Sequence, residues 1–237
     1  MILEPVNSES ATARPTILRA ALGPGIVSVL TVVAVLVTLD PADYRPNLPQ
    51  GPGITLDESF NVQMGVYLVE SIRGFGLGIL DPQSAQEVFG NPAYNPDHPP
   101  LGRLWLGVFH EISRAVTPVE SGDNPFVTIH ARTGSAFAFA LTVFLVGVFA
   151  TLRWGFPAGV TSSISLAGMP RLFGHAHLAS LETFMGLTWT VAILGAIHLW
   201  ARRPESRSDD LSTSRLNTVR NIEQPRDKAA ILCGLFV

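Results

Sequence analysis

The chain has a single cysteine, Cys233, among 237 residues, and a single lysine, Lys228. One cysteine excludes a disulfide scaffold and a Cys-based zinc module. Charge is scarce as well. Only 15% of residues are charged, against roughly 25% in an ordinary soluble domain. The net charge of −3 leaves no broad basic face, so nucleic acid is not expected as a partner. With 47% hydrophobic residues the chain also lies outside the compositional range of disorder.

Long apolar runs take the place of the missing charge. Ala20 to Leu39 contains no charged residue, enough to cross a hydrocarbon core of about 30 Å at ~1.5 Å per residue. A signal peptide is the alternative, but its apolar core is usually about 7–15 residues and ends at small residues. Here the run is longer, and Asp40-Pro41 follows. A second run, Thr133 to Leu152, lies between Arg132 and Arg153, with Trp154 as an interfacial anchor. Ala158 to Met169 is shorter and rich in Ser and Gly, a composition that suits close helix packing. Leu178 to Trp200 is broken only by Glu182 and His198. The expected fold class is therefore an all-α integral membrane protein with about four transmembrane helices: 20–39, then three more within 131–200.

Charge asymmetry supplies a topology. Residues 40–130 carry eleven acids against four Arg, whereas Arg14, Arg19, Arg153, Arg202 and Arg203 flank the apolar runs. The positive-inside rule places those Arg residues in the cytoplasm and the 40–130 loop outside. Residues 1–19 are then a cytoplasmic N-terminus and 201–228 a cytoplasmic polar loop. The final AAILCGLFV, residues 229–237, is too short to cross a bilayer and reads as the start of a truncated fifth helix, which suggests a fragment of a longer protein.

The outer loop has structure of its own. Leu56 to Arg73 has helical spacing, with Phe60, Met64, Tyr67 and Leu68 on one face and Asp57 and Glu58 at its start. A second helix is expected from Pro99-Pro100 to about Val116. Its Arg103, His110, Glu111 and Arg114 make it too polar to face lipid, so both helices are expected at the membrane surface.

Three groups of residues suit chemistry. Asp57 and Glu58 are adjacent carboxylates, fit for general-base work or for holding a cation, or simply for capping a helix. Asn95-Pro-Asp-His-Pro-Pro-Leu-Gly-Arg103 is a rigid corner presenting Asp97 and His98, or a plain turn. Arg132, Arg171, His175, His177 and Glu182 lie at the outer ends of spans, where an ionisable group marks a functional site or, for Glu182, a carboxylate paired with Arg171. Arg suits bidentate phosphate recognition. Asp57, His175, His177 and Glu182 are the candidates for a divalent metal, with polar lining of the pocket or turn as the alternative. Other motifs fail. Gly74, Gly76 and Gly78 have the wrong spacing for a dinucleotide loop, and His110-Glu111 lacks the second His of a zinc-protease helix.

The stretches LDESF (56–60), HPPLGR (98–103), Arg132 and HLASLE (177–182) together resemble the N-terminal part of the GT-C glycosyltransferases, that is, the protein O-mannosyltransferases and the lipid A aminoarabinose transferases. The resemblance covers roughly residues 20–200. It implies sugar transfer from a polyprenyl-phosphate donor to a protein, lipid or glycan acceptor on the outer face of the cell (inner) membrane. It implies Asp57 as catalytic base supported by Glu58, Arg103 and Arg132 on the donor phosphate, and His98, Arg171, His177 and Glu182 around the pocket. Arg103 stands where the mannosyltransferases usually have Lys, and the later membrane helices of the family are missing, so the chain alone is expected to be inactive. A non-catalytic membrane subunit and a transporter are the alternatives.

Overall fold

The computed structural model describes residues 17–40, 55–118 and 127–201. The expected cytoplasmic N-terminus, the polar 202–228 stretch and the 229–237 run lie outside the described residues, apart from the first residues of α1. The chain divides into two compact units, 1–196 and 197–237, and of the second only the last residues of one helix are described. Every regular element among the described residues is helical.

The first apolar run forms α1 (Ile17–Val37). The outer-loop region forms α2 (Leu56–Phe75), a 3-10 segment (Gly76–Leu80), α3 (Pro82–Phe89) and α4 (Pro100–Val116). Then come α5 (Thr128–Trp154), α6 (Phe156–Ala167), α7 (Pro170–His175) and α8 (Leu181–Ala201). Among the described residues, three helices are long and apolar enough to cross a membrane: Leu18–Val37, Thr128–Trp154 and Leu181–Trp200. They mark the chain as a membrane protein.

The expected span at 158–169 is not a crossing helix of its own. α6 has 12 residues, about 18 Å of helix against a hydrocarbon core of about 30 Å. Pro170 ends that run, because it offers no amide to continue the ladder, and opens α7 at the first position, where none is needed. The two short helices together retrace α5. A Cβ on Gly159 would overlap the Thr151 hydroxyl, and Ser163 donates to the Val143 carbonyl at 3.3 Å. Further along, Ala176 packs with Ala136, Phe139 and Val35, and Ser135 donates to the Ser180 carbonyl at 3.4 Å. Residues 156–180 thus run antiparallel to α5 as a broken return segment.

Small residues let these helices approach closely. Gly147 makes room for Pro24 of α1, which would lie 2.7 Å from an added Cβ, and Ser28 of α1 donates to the Ala140 carbonyl at 2.7 Å. Gly23 faces Phe156, so the start of α1 and the end of α5 share one end of the bundle. Asp40 and Arg132 mark the other end.

α2 and α4 cross at a second glycine contact, where a Cβ on Gly107 would overlap the Gly65 carbonyl. α2 buries Met64 and Leu68, as its spacing predicts, with Tyr67 half-buried over Tyr94 and Phe60 left exposed. Of the four residues that made α4 look too polar for lipid, Arg103 and His110 are fully buried, Glu111 is half-buried and Arg114 is exposed, while Leu101, Val108, Ile112 and Val116 form an exposed apolar stripe. α3 and the 3-10 segment carry too short an apolar pattern to stand out in the sequence. Asp81 caps α3 by accepting the Gln83 amide at 3.1 Å.

Overpacking a tight contact costs about 1–3 kcal/mol. Gly107→Val should therefore lower the thermal midpoint in detergent by several degrees. Gly74→Ala, with nothing near its added Cβ, should hold or raise the midpoint, since Ala is favoured over Gly inside a helix by about 1 kcal/mol.

Candidate functional site

The first turn of α2 is where the separate stretches meet. Glu58 is its third residue, and its carboxylate accepts the Thr55 amide at 2.9 Å, one half of a capping box. Helical geometry turns neighbouring residues about 100° apart, so Asp57 points out to solvent while Glu58 is buried.

The buried carboxylate meets Arg132, one turn into α5. Arg132 Nε donates to Oε1 at 2.8 Å and Nη2 donates to Oε2 at 2.9 Å, a bidentate fork. Nη1 donates to the Asp40 carbonyl at 2.7 Å. The Ala179 amide donates to Oε1 at 2.6 Å, and the Thr55 hydroxyl to Oε2 at 3.3 Å. One carboxylate thereby joins the end of α1, the starts of α2 and α5, and the segment leading into α8. Burial pushes the Glu58 carboxyl up, but the Arg132 fork and the Thr55 and Ala179 amides outweigh it and hold it below the usual range.

Arg103 forms the second node. Its Nε donates to Asn61 Oδ1 at 3.3 Å, Nη1 to the Asn95 carbonyl and Nη2 to Asp97 Oδ1. Asn61 lies one turn after Asp57 on the same side of α2. Arg103 therefore fastens the Asn95–Pro100 corner to the second turn of α2, one turn from the exposed Asp57. Its hydrogen bond also holds the Asp97 carboxyl below its ordinary range. Asp97 is half exposed and His98 exposed.

The remaining expected residues are placed as follows. His177 bonds the Phe173 carbonyl through Nδ1 (2.8 Å) and the Thr38 hydroxyl through Nε2 (2.7 Å), tying α7 to the end of α1. Arg171 and Glu182 are both exposed, and no ion pair joins them among the described residues. His175 is half-buried. Among the described residues no group of three or more His, Cys, Asp or Glu side chains is arranged to hold a metal.

Sequence reasoning missed a histidine cluster beside this site. His110 Nε2 accepts the Val127 amide at 3.1 Å, so its proton sits on Nδ1, which donates to Glu111 Oε1 at 2.9 Å. Glu111 also accepts from Arg73 at 2.8 Å. The His130 ring stands edge-on to His110 at 5.6 Å and bonds Ser113. His110 stood out in the sequence only for its polarity and in the failed zinc motif, because no local pattern signals a bond to a backbone amide 17 residues away.

Compared with known protein families, with curated proteins and with solved structures, the chain finds no match.

Removing one partner of a buried pair costs about 3–5 kcal/mol, because the other charge is left uncompensated. Arg132→Met should therefore strongly lower the thermal midpoint in detergent. Adding Glu58→Gln to it should recover part of the loss, a positive coupling in a double-mutant cycle. A second prediction concerns pH. Burial pushes the His110 pKa down, against the raising effect of Glu111. The unfolded chain then takes up a proton near the ordinary value of about 6.5 while the folded chain does not. Stability is complete above that value and declines as pH falls below it. His110→Gln, which has an acceptor and a donor for the same partners and does not titrate, should make the midpoint fall less between pH 7.5 and 5.5, with burial of His130 supplying the remaining decline.

Proposed function

We propose that the chain is a membrane glycosyltransferase that takes its sugar from a polyprenyl-phosphate donor and passes it to a protein, lipid or glycan acceptor on the outer face of the membrane. The observation that carries this reading is convergence. Three of the stretches on which the GT-C resemblance rests, 56–60, Arg132 and 177–182, are linked by hydrogen bonds at the first turn of α2, and Arg103 of the fourth, 98–103, bonds Asn61 one turn further on. Asp57 is the exposed carboxylate there, on a helix start held by a buried ion pair.

In this reading Asp57 removes the proton from the acceptor as the acceptor attacks the sugar. Glu58 and Arg132 position it without touching substrate. Arg103 meets the donor phosphate through Nη2, whose partner Asp97 is half exposed and exchangeable for a phosphate oxygen. Polyprenyl phosphate leaves. The protein is multi-pass in the cell (inner) membrane, with α1, α5, the α6–α7 return and α8 making four passes. The α2–α4 end is extracytoplasmic, because Arg19 and Arg153 flank the opposite end.

One observation favours a second reading. Every guanidinium nitrogen of Arg132 and Arg103 already donates to a protein acceptor. That pattern suits a non-catalytic subunit as well.

General-base catalysis contributes about 10²–10⁴-fold. Asp57→Asn should lower transfer from a radiolabelled polyprenyl-phosphate sugar at least ~100-fold in native membranes, with the membrane level unchanged. Transfer that survives Asp57→Asn would remove the catalytic role and leave the subunit reading. Glu58→Gln should lower the folded amount as well.

A further inference from the structure

We propose that α4 is seated in the membrane itself, with the stripe Leu101, Val108, Ile112 and Val116 in lipid hydrocarbon. The first observation is an inverted polarity. Arg103 and His110 have no exposure, whereas Leu101, Val108, Ile112 and Val116 are 60%, 38%, 54% and 75% exposed. Their spacing of seven, four and four residues draws one stripe along the helix. A helix facing water on that side would carry the reverse pattern. The inward polar groups are satisfied by protein, Arg103 by Asn61 and Asp97 and His110 by Glu111 and the Val127 amide. Nothing draws them outward.

The second observation is continuity. Trp105 and Phe109 of α4 join Val32 of α1 and Phe137 and Phe144 of α5 along one apolar groove of about 270 Å³. α1 and α5 are two of the helices able to cross a bilayer. The one hydroxyl in the groove, Ser28, is taken by the Ala140 carbonyl. The Trp105 indole N–H is likewise turned inward, onto the Gly134 carbonyl at 2.8 Å. The lipid-facing surface of α1 and α5 therefore passes into α4 without a polar seam. Arg114, 61% exposed near the C-terminal end, can carry its charge to the headgroups along its aliphatic stem. Such seating fixes the depth of the 95–103 corner. It rests on α1 and α5 crossing the bilayer and not on the sugar-transfer reading.

The test uses the full chain carrying Cys233→Ala, reconstituted in phosphatidylcholine vesicles. Single cysteines are introduced by Ile112→Cys, by Val116→Cys as a second stripe position, by Leu141→Cys on exposed α5, and by Gln86→Cys on exposed α3. Each is labelled with a small fluorophore. Brominated acyl chains should quench the two stripe positions to an extent comparable with position 141 and leave position 86 bright. Unlabelled stripe cysteines should resist a membrane-impermeant maleimide that modifies position 86. Maleimide modification of the stripe at the rate seen for position 86 would overturn the proposal in favour of water. Protection from the maleimide without bromine quenching would overturn it in favour of a protein cover, such as a second copy of this chain.

Discussion

A carboxylate and a guanidinium with almost no exposure are tolerable in a helical bundle only when every donor and lone pair finds a partner. Glu58 and Arg132 meet that demand by drawing in the Thr55 amide, the Ala179 amide and the Asp40 carbonyl. Each of those groups belongs to a different segment. The requirement to satisfy one ion pair therefore sets where α1 ends, where α2 and α5 begin, and how the chain enters α8. Loss of either charge releases all of these ends at once, because the backbone amides would be left facing an unmatched or neutral group.

The rest of the packing follows from the solvent. In hydrocarbon, burial of apolar side chains between helices brings little advantage, so association relies on close approach and internal hydrogen bonds. Gly147 against Pro24, Gly159 against Thr151 and Gly107 against Gly65 supply the close approach. Ser28 and Ser163 supply bonds to carbonyls of α5. The same logic explains why α4 turns Arg103 and His110 inward: the protein interior, not the surroundings, is where their partners are.

The extents of α1, α2, α4 and α5 were legible in the sequence to within a few residues, because each has a strong apolar pattern and a clear start signal. Pro99-Pro100 and Asp57-Glu58 announced their helices, and Thr133 to Leu152 announced a span. The return segment was legible only as a weak run. Its meaning comes from packing against α5, which composition does not report. Local charge density counts the polar residues of α4 without saying which way they face: Arg103 and His110 turn inward, whereas Arg114 stays exposed. Asp57 and Glu58 were singled out as a pair, and so were Arg103 and Arg132. The bonds that separate their roles span 42 and 74 residues of sequence, and no local spacing encodes them.

That separation of roles bears on the chemistry. Two adjacent carboxylates on a helix cannot share one environment, because they point about 100° apart. Glu58 is buried, ionised and saturated with donors, so a proton taken from a substrate has no place on it. Asp57 is exposed, yet its backbone belongs to a turn that the ion pair holds rigid. A general base is most effective when its position is fixed and its proton-accepting oxygen is not already occupied. Of the two carboxylates only Asp57 combines a fixed mount with an accessible oxygen, and the ion pair beside it is what makes that combination stable.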